Sequence, residues 1–466
     1  MTADFIRFIP PWVTVVAGFA AGGPLWLVAC APRAAQEPAA AATAVIQEPW
    51  KVPGEPPASV LEAAHTPISL LGFEDSASHY QKRRRSTDYP KYDPAQIAGI
   101  AENILLHQRS NGGWPENWDP QRVLNPEEKR SVWNDKARQD TSFDNHTTFT
   151  QIAYLASAHL LLHDERYAQA CRAGLLFMLE AQHENGGFPH SYPGSQIYHH
   201  HTTFMDAVTP GALALFRRIV AGEAAFGFLD SQLVAKLREA LRRGEQGLLR
   251  LQVRVDGRLT VWAGQYDRET NEPTTGRAYE LPGLVSRESV DVVRYLMGVD
   301  APSPDVVASI EAAIVWFQRS KLEGLRVEEF EAPLVHYEFH SSHVDRRVVH
   351  DPTAPPLWAR FYEIDTNRPF MANRDGVKVY SLEQVSRERR TGYSWYGDYA
   401  ARLLAQDYPA WRESKVDSLP PAVDPAPGTE SKEAGVSSTR APKSPAAKER
   451  AAPGAEAVPK VTHEAP

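Results

Sequence analysis

Apolar residues recur at helical spacing in several stretches of the chain. Leu233, Leu237 and Leu241 fall at i, i+4 and i+8. A second apolar stripe spans 306–317 and follows the pair Ser303-Pro304, a helix start signal. Because apolar residues three or four positions apart share one face of a helix, both stretches are predicted to be amphipathic helices that pack on a core.

The ends of such helices recur at a regular distance. Gln108 is followed by Asn111-Gly112-Gly113-Trp114-Pro115, and Gln182 is followed by Asn185-Gly186-Gly187-Phe188-Pro189. Similar apolar helix ends close on Gln252 and Gln318, so the four glutamines are separated by 74, 70 and 66 residues. A period near this length holds two helices and their loops. The sequence therefore predicts an all-α fold of repeated helix pairs, either an α/α toroid or a helical solenoid.

The loops that carry Gly-Gly-aromatic-Pro follow one helix of each pair. In a toroid they would line one common face, where a cleft could form. Gly and Pro also end helices in any protein, and the pattern alone leaves both interpretations open.

The chain divides into four parts by composition. Residues 1–30 form an apolar targeting segment that ends in Leu27-Val28-Ala29-Cys30, which is similar to a lipobox, so a periplasmic or cell-surface lipoprotein is expected, or alternatively a secreted protein. An Ala/Pro-rich linker is predicted over 31–75, a folded domain over 76–413 and a disordered Pro/Ala-rich tail over 414–466. Once Cys30 is lipidated or removed, Cys171 is the one cysteine left, which excludes an intramolecular disulfide.

The net charge of the chain restricts the classes of molecule that it is expected to bind. The formal net charge of −8 argues against a nucleic-acid-binding protein, which needs a basic face to neutralise phosphates. The run Lys82-Arg83-Arg84-Arg85 is a local exception, interpreted as a solvated charge run ahead of the domain. A monomer is expected, with a membrane contact only through the N-terminal lipid.

Four predicted loop segments hold polar residues that could carry chemistry: 141–145 with Asp144, 199–206 with Asp206, 272–280 with Arg277 and 357–364 with Arg360. Two acids and two arginines suit an anionic sugar, because a hard cation can bridge aspartates to a uronate carboxylate and a guanidinium can pair with it. The aspartates could equally be helix N-caps, and each arginine could pair with a glutamate three residues later. Spacing alone does not decide.

Several strings together resemble the pectate lyases of polysaccharide lyase family ten. They are Asn111-Gly112-Gly113-Trp114-Pro115, Phe143-Asp144-Asn145, His201-Thr202-Thr203-Phe204, Gly276-Arg277-Ala278-Tyr279-Glu280, Pro356-Leu357-Trp358-Ala359-Arg360-Phe361-Tyr362-Glu363, Thr366-Asn367-Arg368-Pro369 and Arg389-Arg390-Thr391-Gly392-Tyr393. The resemblance covers about Asn103 to Trp395, nearly the whole predicted domain. It implies an irregular α/α toroid with short strands and long loops, pectic acid as the substrate and Ca²⁺ as the cofactor.

The resemblance also implies a role for each matching residue. Arg277 would be the base, while Asp144 and Asp206 would bind calcium and, through it, the substrate carboxylate. The implied substrate-binding residues are Arg360, Asp144, Asn145, His201, Trp114, Arg368 and Tyr393.

Some positions depart from the family pattern. The usual Asp-Asn-Gly reads Asp144-Asn145-His146, the usual Asn-Asp-Asp-Ala reads Met205-Asp206-Ala207-Val208, and Tyr-Glu-Pro-Pro-Ser reads Tyr279-Glu280-Leu281-Pro282-Gly283. The expected metal lining has thus lost a carboxylate and gained histidines. A transition-metal site built from Tyr198-His199-His200-His201 with His146 is the alternative, because imidazole suits zinc or copper.

The implied reaction is β-elimination from α-1,4-linked polygalacturonate, in which a base removes the proton on C5 and the C4 glycosidic oxygen leaves. Two other functions stay open at this point. A lipoprotein could bind pectic oligosaccharides without cleaving them, and a toroid glycoside hydrolase could use Asp144 and Asp206 as its acid and base.

Overall fold

The structure, a computed structural model, describes residues 50–194 and 197–415. Twelve α-helices form within these residues: α1 Ala58–Leu61, α2 Glu74–Arg84, α3 Ile97–His107, α4 Pro126–Asn134, α5 Phe149–Leu162, α6 Glu165–Ala181, α7 Val208–Val220, α8 Ser231–Leu251, α9 Ser286–Met297, α10 Pro304–Ser320, α11 Arg387–Gly392 and α12 Tyr408–Ser414. The predicted stripes lie in α8 and α10, where Leu237 and Ile310 are fully buried.

The helices alternate between two layers. Helices α3, α5, α7 and α9 pack side by side, and α6, α8 and α10 pack against them and against one another. Each pair α5/α6, α7/α8 and α9/α10 is joined by a short connection. Because successive helices run in opposite directions, the long loops 108–148, 182–207 and 252–285 all lie at the other end. This arrangement is the irregular α/α toroid, so the predicted fold class is confirmed.

Twelve strands occupy the long loops: β1 Thr202–Thr203, β2 Arg254–Val255, β3 Arg258–Leu259, β4 Gln265–Tyr266, β5 Leu284–Val285, β6 Leu325–His336, β7 Ser341–His350, β8 Trp358–Ala359, β9 Phe361–Tyr362, β10 Pro369–Ala372, β11 Lys378–Val379 and β12 Tyr396–Gly397. Most have two residues, as expected for an all-α fold with short strands. The antiparallel hairpin of β6 and β7 is the exception, and the helix-pair pattern does not predict it. The largest sheet has the order β11-β10-β9-β5.

The repeated glutamines close the C-terminal ends of their helices. The amide nitrogen Nε2 of Gln108 donates to the carbonyl of Gly112 at 2.8 Å and to that of Ala170 at 2.9 Å. Gln182 makes the same pair of bonds to Gly186 and Ala240, at 2.8 and 2.9 Å. Gln252 does so to Thr260 and Ser309, again at 2.8 and 2.9 Å. One side chain thus joins its own loop to the next outer helix.

The fourth glutamine does not join this series. Gln318 is exposed, because α10 continues to Ser320 and its C-cap is Lys321. The predicted fourth step is therefore three residues out of register with the other helix ends. The indoles recover the correct register: Trp114 donates to the carbonyl of Ile104, Trp262 to that of Leu248 and Trp358 to that of Phe317, at 2.7, 2.7 and 2.9 Å.

The folded part begins earlier than the sequence predicts. Residues 50–75 belong to the linker predicted over 31–75, yet Leu61 and Phe73 are buried and Glu55 pairs with Lys129. Apolar side chains and ion-pair partners further along the chain hold this segment, which local composition cannot indicate. The targeting segment with Cys30, the linker up to residue 49 and the tail beyond Lys415 lie outside the described residues. Within the described residues, no helix combines the length and apolar character that crossing a membrane requires.

Replacing Gln108 by Ala should lower the free energy of unfolding by ~2 to 4 kcal/mol, since the buried carbonyls of Gly112 and Ala170 each lose a side-chain donor. The matched control is Gln318→Ala, at the exposed glutamine that the sequence pattern treats as equivalent. Chemical denaturation of the two variants is the measurement. Similar losses in both would mean that the glutamine bonds do not close the repeat.

Candidate active site

The two predicted metal-binding aspartates lie in matching turns of successive repeats. Asp144 is in the 3-10 turn before α5, and Asp206 is in the 3-10 turn before α7. Asn145 and His146 have φ of 49° and 61°, and Asp206 and Ala207 have φ of 48° and 56°, so each turn holds two left-handed non-glycine residues. Such conformations cost energy and are retained mostly where function requires them.

Asp144 is buried, and only one of its two carboxylate oxygens has a side-chain partner among the described residues. Its Oδ2 lies 2.7 Å from Nε2 of His190, while its Oδ1 is buried and has no hydrogen-bond partner among the described residues. Burial alone would raise the pKa of Asp144, but the charges of His190 and then Arg277 outweigh it and hold that pKa well below its usual range. Asp144 is therefore an anion with one oxygen free to bind a cation.

Asp206 has a different set of neighbours. Its Oδ1 lies 3.4 Å from Nη1 of Arg287 and 3.7 Å from Nη2 of Arg360. Burial raises the pKa of Asp206, and the negative charge of Asp144 raises it further, against the opposing effect of the two arginines. The two aspartates thus repel each other, and a divalent cation between them would relieve this repulsion.

A second group of possible metal ligands overlaps with Asp144. Among the described residues, Glu116, Asp144 and His190 each offer one ligand atom, and these atoms lie within 4.8 Å of one another. Burial and then the charge of Asp144 raise the pKa of Glu116. Ser142 links the group, since its Oγ lies 3.0 Å from the Oε2 of Glu116 and donates at 3.0 Å to the carbonyl of His190.

Glu116 and His190 are not among the predicted site residues, although the internal repeat indicates their positions. Each directly follows the proline of an Asn-Gly-Gly-aromatic-Pro string. These strings are equivalent in the two repeats, so the next side chains enter the same space.

The histidine-only metal site predicted as an alternative does not form. His146 lies 3.5 Å from Asp75, His201 lies 3.9 Å from Asp267, and His200 is exposed. His199 stacks on His190, with ring centroids 4.9 Å apart and planes 4° from parallel. The histidines adjacent in the sequence thus point to different partners, because the short 3-10 turn Ile197–His200 directs them apart.

Arg277 is held by a glutamate and two tyrosine rings. Its Nη2 donates to Oε1 of Glu280 at 2.6 Å, and its backbone N–H donates to Oε2 of the same residue at 3.0 Å. The Tyr393 hydroxyl also donates to Oε1 of Glu280, at 2.8 Å. The guanidinium lies 5.4 Å from the ring of Tyr279 and 5.9 Å from that of Tyr393, while 34% of the side chain stays exposed. Arg277 is thus fixed in direction yet accessible.

The charge state of Arg277 follows from this setting. Burial would lower its pKa, but the carboxylate of Glu280 together with Tyr279 and Tyr393 outweighs burial and raises that pKa well above the usual range. Arg277 also acts on both aspartates, since its charge lowers the pKa of Asp144 and of Asp206. In the protein alone, Arg277 is a guanidinium ion beside the acidic pair.

Arg360 is more deeply buried, with 3% of its side chain exposed. Its Nε donates to Oε1 of Glu288 at 2.9 Å, its Nη2 contacts the same oxygen, and its guanidinium lies 4.4 Å from the ring of Tyr393. Arg360 therefore fixes Glu288 in the first turn of α9 and lies beside Asp206. Arg287, on the first turn of α9 and 40% exposed, is the more open cation at Asp206, and the sequence search missed it.

The remaining predicted substrate-binding residues divide into two groups. Asn145 and Tyr393 lie with the acids and arginines, and the amide of Asn145 donates to Asn117 Oδ1 at 2.8 Å. Trp114 has no exposed surface, because its indole closes the end of α3, so its position does not support the predicted contact with substrate. Arg368 stacks on Tyr380 at 3.6 Å, and His201 lies near Asp267, so these two contact other groups.

Substitution of Glu288 by Ala should lower the free energy of unfolding by about 3–5 kcal/mol, because Arg360 would lose its closest buried counter-charge. Glu239→Ala is the control, since Glu239 pairs with Arg242 at the surface, where both side chains are more than half exposed. It should cause no resolvable change in thermal or chemical denaturation. Equal behaviour of the two variants would contradict the buried-pair assignment.

Comparison with known proteins finds a family and solved structures that this chain resembles. The profile of the family described as pectic acid lyase matches residues 108–404. A mutant family 10 polysaccharide lyase from Cellvibrio cellulosa, solved in complex with trigalacturonic acid, is 27% identical with a TM-score of 0.58, over 75% of this chain and 99% of that chain. A further structure of family 10 polysaccharide lyase from the same organism is 26% identical with a TM-score of 0.56, over 74% and 98% of the two chains.

No curated protein matches the chain. The profile match nevertheless covers well over half of the 466 residues and includes Asp144, Asp206, Arg277 and Arg360. The resemblance found in the sequence motifs is thereby confirmed, and the chain belongs to the pectic acid lyase family.

Proposed function

We propose that the protein cleaves polygalacturonate by β-elimination, with calcium at Asp144 and Asp206 and with Arg277 as the base. The observation that carries the proposal is the joint position of two mutually repelling carboxylates and a directed, accessible arginine. A uronate chain brings a carboxylate on every sugar, and the proton to be removed lies next to that carboxylate. A cation-binding pair of acids beside a base is what this chemistry requires.

The residues present fit calcium. Among the described residues, Asp144 has a buried oxygen without a hydrogen-bond partner, ligand oxygens of Asp144 and Glu116 lie within 4.8 Å of each other, and the charge of Asp144 also acts on Asp206. Calcium takes six to eight oxygen ligands, of which carboxylates are the usual protein contribution. When bound, the ion would polarise the substrate carboxylate as a Lewis acid and would oppose the positive charge of Arg277.

Arg277 must be neutral in order to accept the C5 proton. Glu280 favours the charged form, so this residue positions the guanidinium and at the same time makes the neutral form rarer. Exclusion of water by the substrate favours the neutral form, because desolvation acts against charge. The rings of Tyr279 and Tyr393 restrict the guanidinium to one direction, which aligns it for proton transfer.

Arg287 supports the substrate side of the site. Its side chain is 40% exposed and lies 3.4 Å from Asp206, so it can pair with a uronate carboxylate that reaches the acids. Arg360, with 3% exposure, acts through Asp206 and Glu288. Arg287 is therefore the arginine that can bind substrate directly, whereas the resemblance implies this role for Arg360. Arg360 instead holds Asp206 and Glu288 in place.

Removal of divalent ions with a chelator should abolish formation of the unsaturated, ultraviolet-absorbing uronide from polygalacturonate, and calcium should restore it. Zinc should not, since the site is mainly oxygen. Restoration by zinc alone would favour the group of Glu116, Asp144 and His190 instead. A product without the unsaturated bond would indicate a hydrolase, and binding without any product would indicate a carbohydrate-binding protein.

A second readout does not depend on activity. Calcium should raise the melting temperature of the metal-free protein by mass action, and Asp206→Asn should remove most of this shift. Asp267→Asn is the control, because Asp267 lies on an exposed turn beside His201.

Replacing Arg277 by Lys should reduce turnover about 10³-fold with a much smaller loss of substrate affinity, because lysine keeps the charge but moves the transferable proton. Arg374→Lys is the comparison, since Arg374 also lies over the Tyr279 ring, at 5.4 Å, and should alter turnover far less. Steady-state kinetics on polygalacturonate gives both constants. Near-normal turnover of the Arg277 variant at saturating substrate would move the base to another residue.

A further inference from the structure

Helix α2 is fixed beside the site although it precedes the residues that carry the family match. The Ser76 hydroxyl donates to the Trp118 carbonyl at 2.9 Å and accepts from the Trp118 backbone N–H at 3.0 Å. One position earlier, Asp75 lies 3.5 Å from His146, in the turn that also holds Asp144. Two independent contacts thus hold the first turn of α2 against the acidic pair.

One face of α2 continues from this contact toward the cationic run. His79, Lys82 and Arg83 follow Asp75 at i+4, i+7 and i+8, so these residues share a face. Lys82 lies about two turns, roughly 10 Å, farther along the helix axis than Asp75. Burial and then the charge of Lys82 lower the pKa of His79, against the charges of Asp144 and Asp206. The face that bears Lys82 therefore looks onto the site.

The far end of this face meets two other parts of the site. The charge of Arg83 acts on Glu116, and that of Lys82 acts on His340. His340 lies in the turn between β6 and β7 and is tied to Thr391 at 3.1 Å. The end of α2 and the tip of this hairpin thus stand within electrostatic reach of each other.

The two cations on this face are open. Lys82 and Arg83 are exposed, and within residues 50–194 and 197–415 neither of them forms an ion pair. Arg84 differs, since it bonds to the Tyr80 hydroxyl at 3.2 Å and lies over that ring at 5.6 Å. On the hairpin side, Arg374 and Arg389 both form ion pairs with Glu388. Among the described residues, Lys82 and Arg83 are thus positive charges without an ion-pair partner, next to a site for a polyanion.

We propose that Lys82 and Arg83 form an additional binding site for carboxylates of a galacturonate chain that continues from the acidic pair along α2. The inference rests on the proposed function, because it extends the same substrate. Charge complementarity selects the occupant, since a uronate polymer carries a negative charge on every sugar. The site would favour long chains over short ones, because a chain meets both places only if it extends from the acidic pair along α2.

The test compares Lys82→Ala/Arg83→Ala with Arg84→Ala/Arg85→Ala. Both double variants remove two positive charges from the same helix end, but Arg84 bonds to Tyr80 and Arg85 is the left-handed C-cap. The first variant should raise KM for polygalacturonate about threefold to tenfold, with kcat and the KM for trigalacturonate unchanged. The control variant should leave all three constants unchanged. The effect should decrease with added salt, because the contacts are exposed.

Three kinetic results would overturn the proposal: an equal rise of KM in both variants, an equal rise for short and long substrates, or no rise at all. Binding of polygalacturonate measured by calorimetry separates this inference from the proposed function. If the unaltered protein binds the polymer without cleaving it and Lys82→Ala/Arg83→Ala weakens that binding, the lyase activity fails while the binding site stands. If cleavage proceeds and neither binding nor KM responds, the binding site fails alone.

Vesicles that contain an anionic phospholipid test the other polyanion. Sedimentation of the unaltered protein with these vesicles, lost in Lys82→Ala/Arg83→Ala together with an unchanged KM for polygalacturonate, would assign the cations to a membrane surface and overturn the proposal. We expect no such binding, since the two side chains share the helix face of Asp75, which contacts the turn of Asp144.

Discussion

Closure of the helix ends by side-chain donors is the interaction on which the rest of this structure depends. Gln108, Gln182 and Gln252 each bond to their own loop and to the neighbouring outer helix. The last carbonyls of a helix lack intrahelical donors, and the indoles of Trp114, Trp262 and Trp358 each donate to one such carbonyl. The long loops therefore cannot separate from the helices that they follow. Because these loops all lie at one end of the toroid, their polar side chains meet there.

Charged side chains are concentrated at that end, and each of them affects the position and the pKa of its neighbours. Asp144 is held by His190 and Asp206 by Arg287 and Arg360, while the two acids repel each other. Removing a charge from water is costly unless a partner compensates it, so the network is stable only as a whole. Among the described residues it leaves one buried oxygen of Asp144 without a hydrogen-bond partner, and this is where the proposed cation would compensate the acids.

One departure from the family pattern has a physical explanation. His146 stands where the family usually has glycine, and its φ of 61° explains that preference, since glycine adopts this region without strain. Histidine accepts the conformation here and uses its ring to contact Asp75. The substitution that changes the lining of the site thus also attaches α2 to it. In this chain the histidine that replaces the glycine therefore contacts the same helix that carries Lys82 and Arg83.

The sequence by itself determined the class of fold and the residues of the two acids and the directed arginine. Apolar spacing reports which face of a helix is buried, and the motifs around Asp144, Asp206, Arg277 and Arg360 are long enough to specify a family. Tertiary structure alone decided how these groups are partnered. Trp114 closes a helix end, and Arg360 is buried by Glu288, 72 residues earlier in the chain. His190 and Glu116, rather than the run of histidines, join Asp144. These contacts depend on the stacking of repeats, which brings together residues far apart in the sequence, whereas local pattern records only the requirements of one helix or one turn.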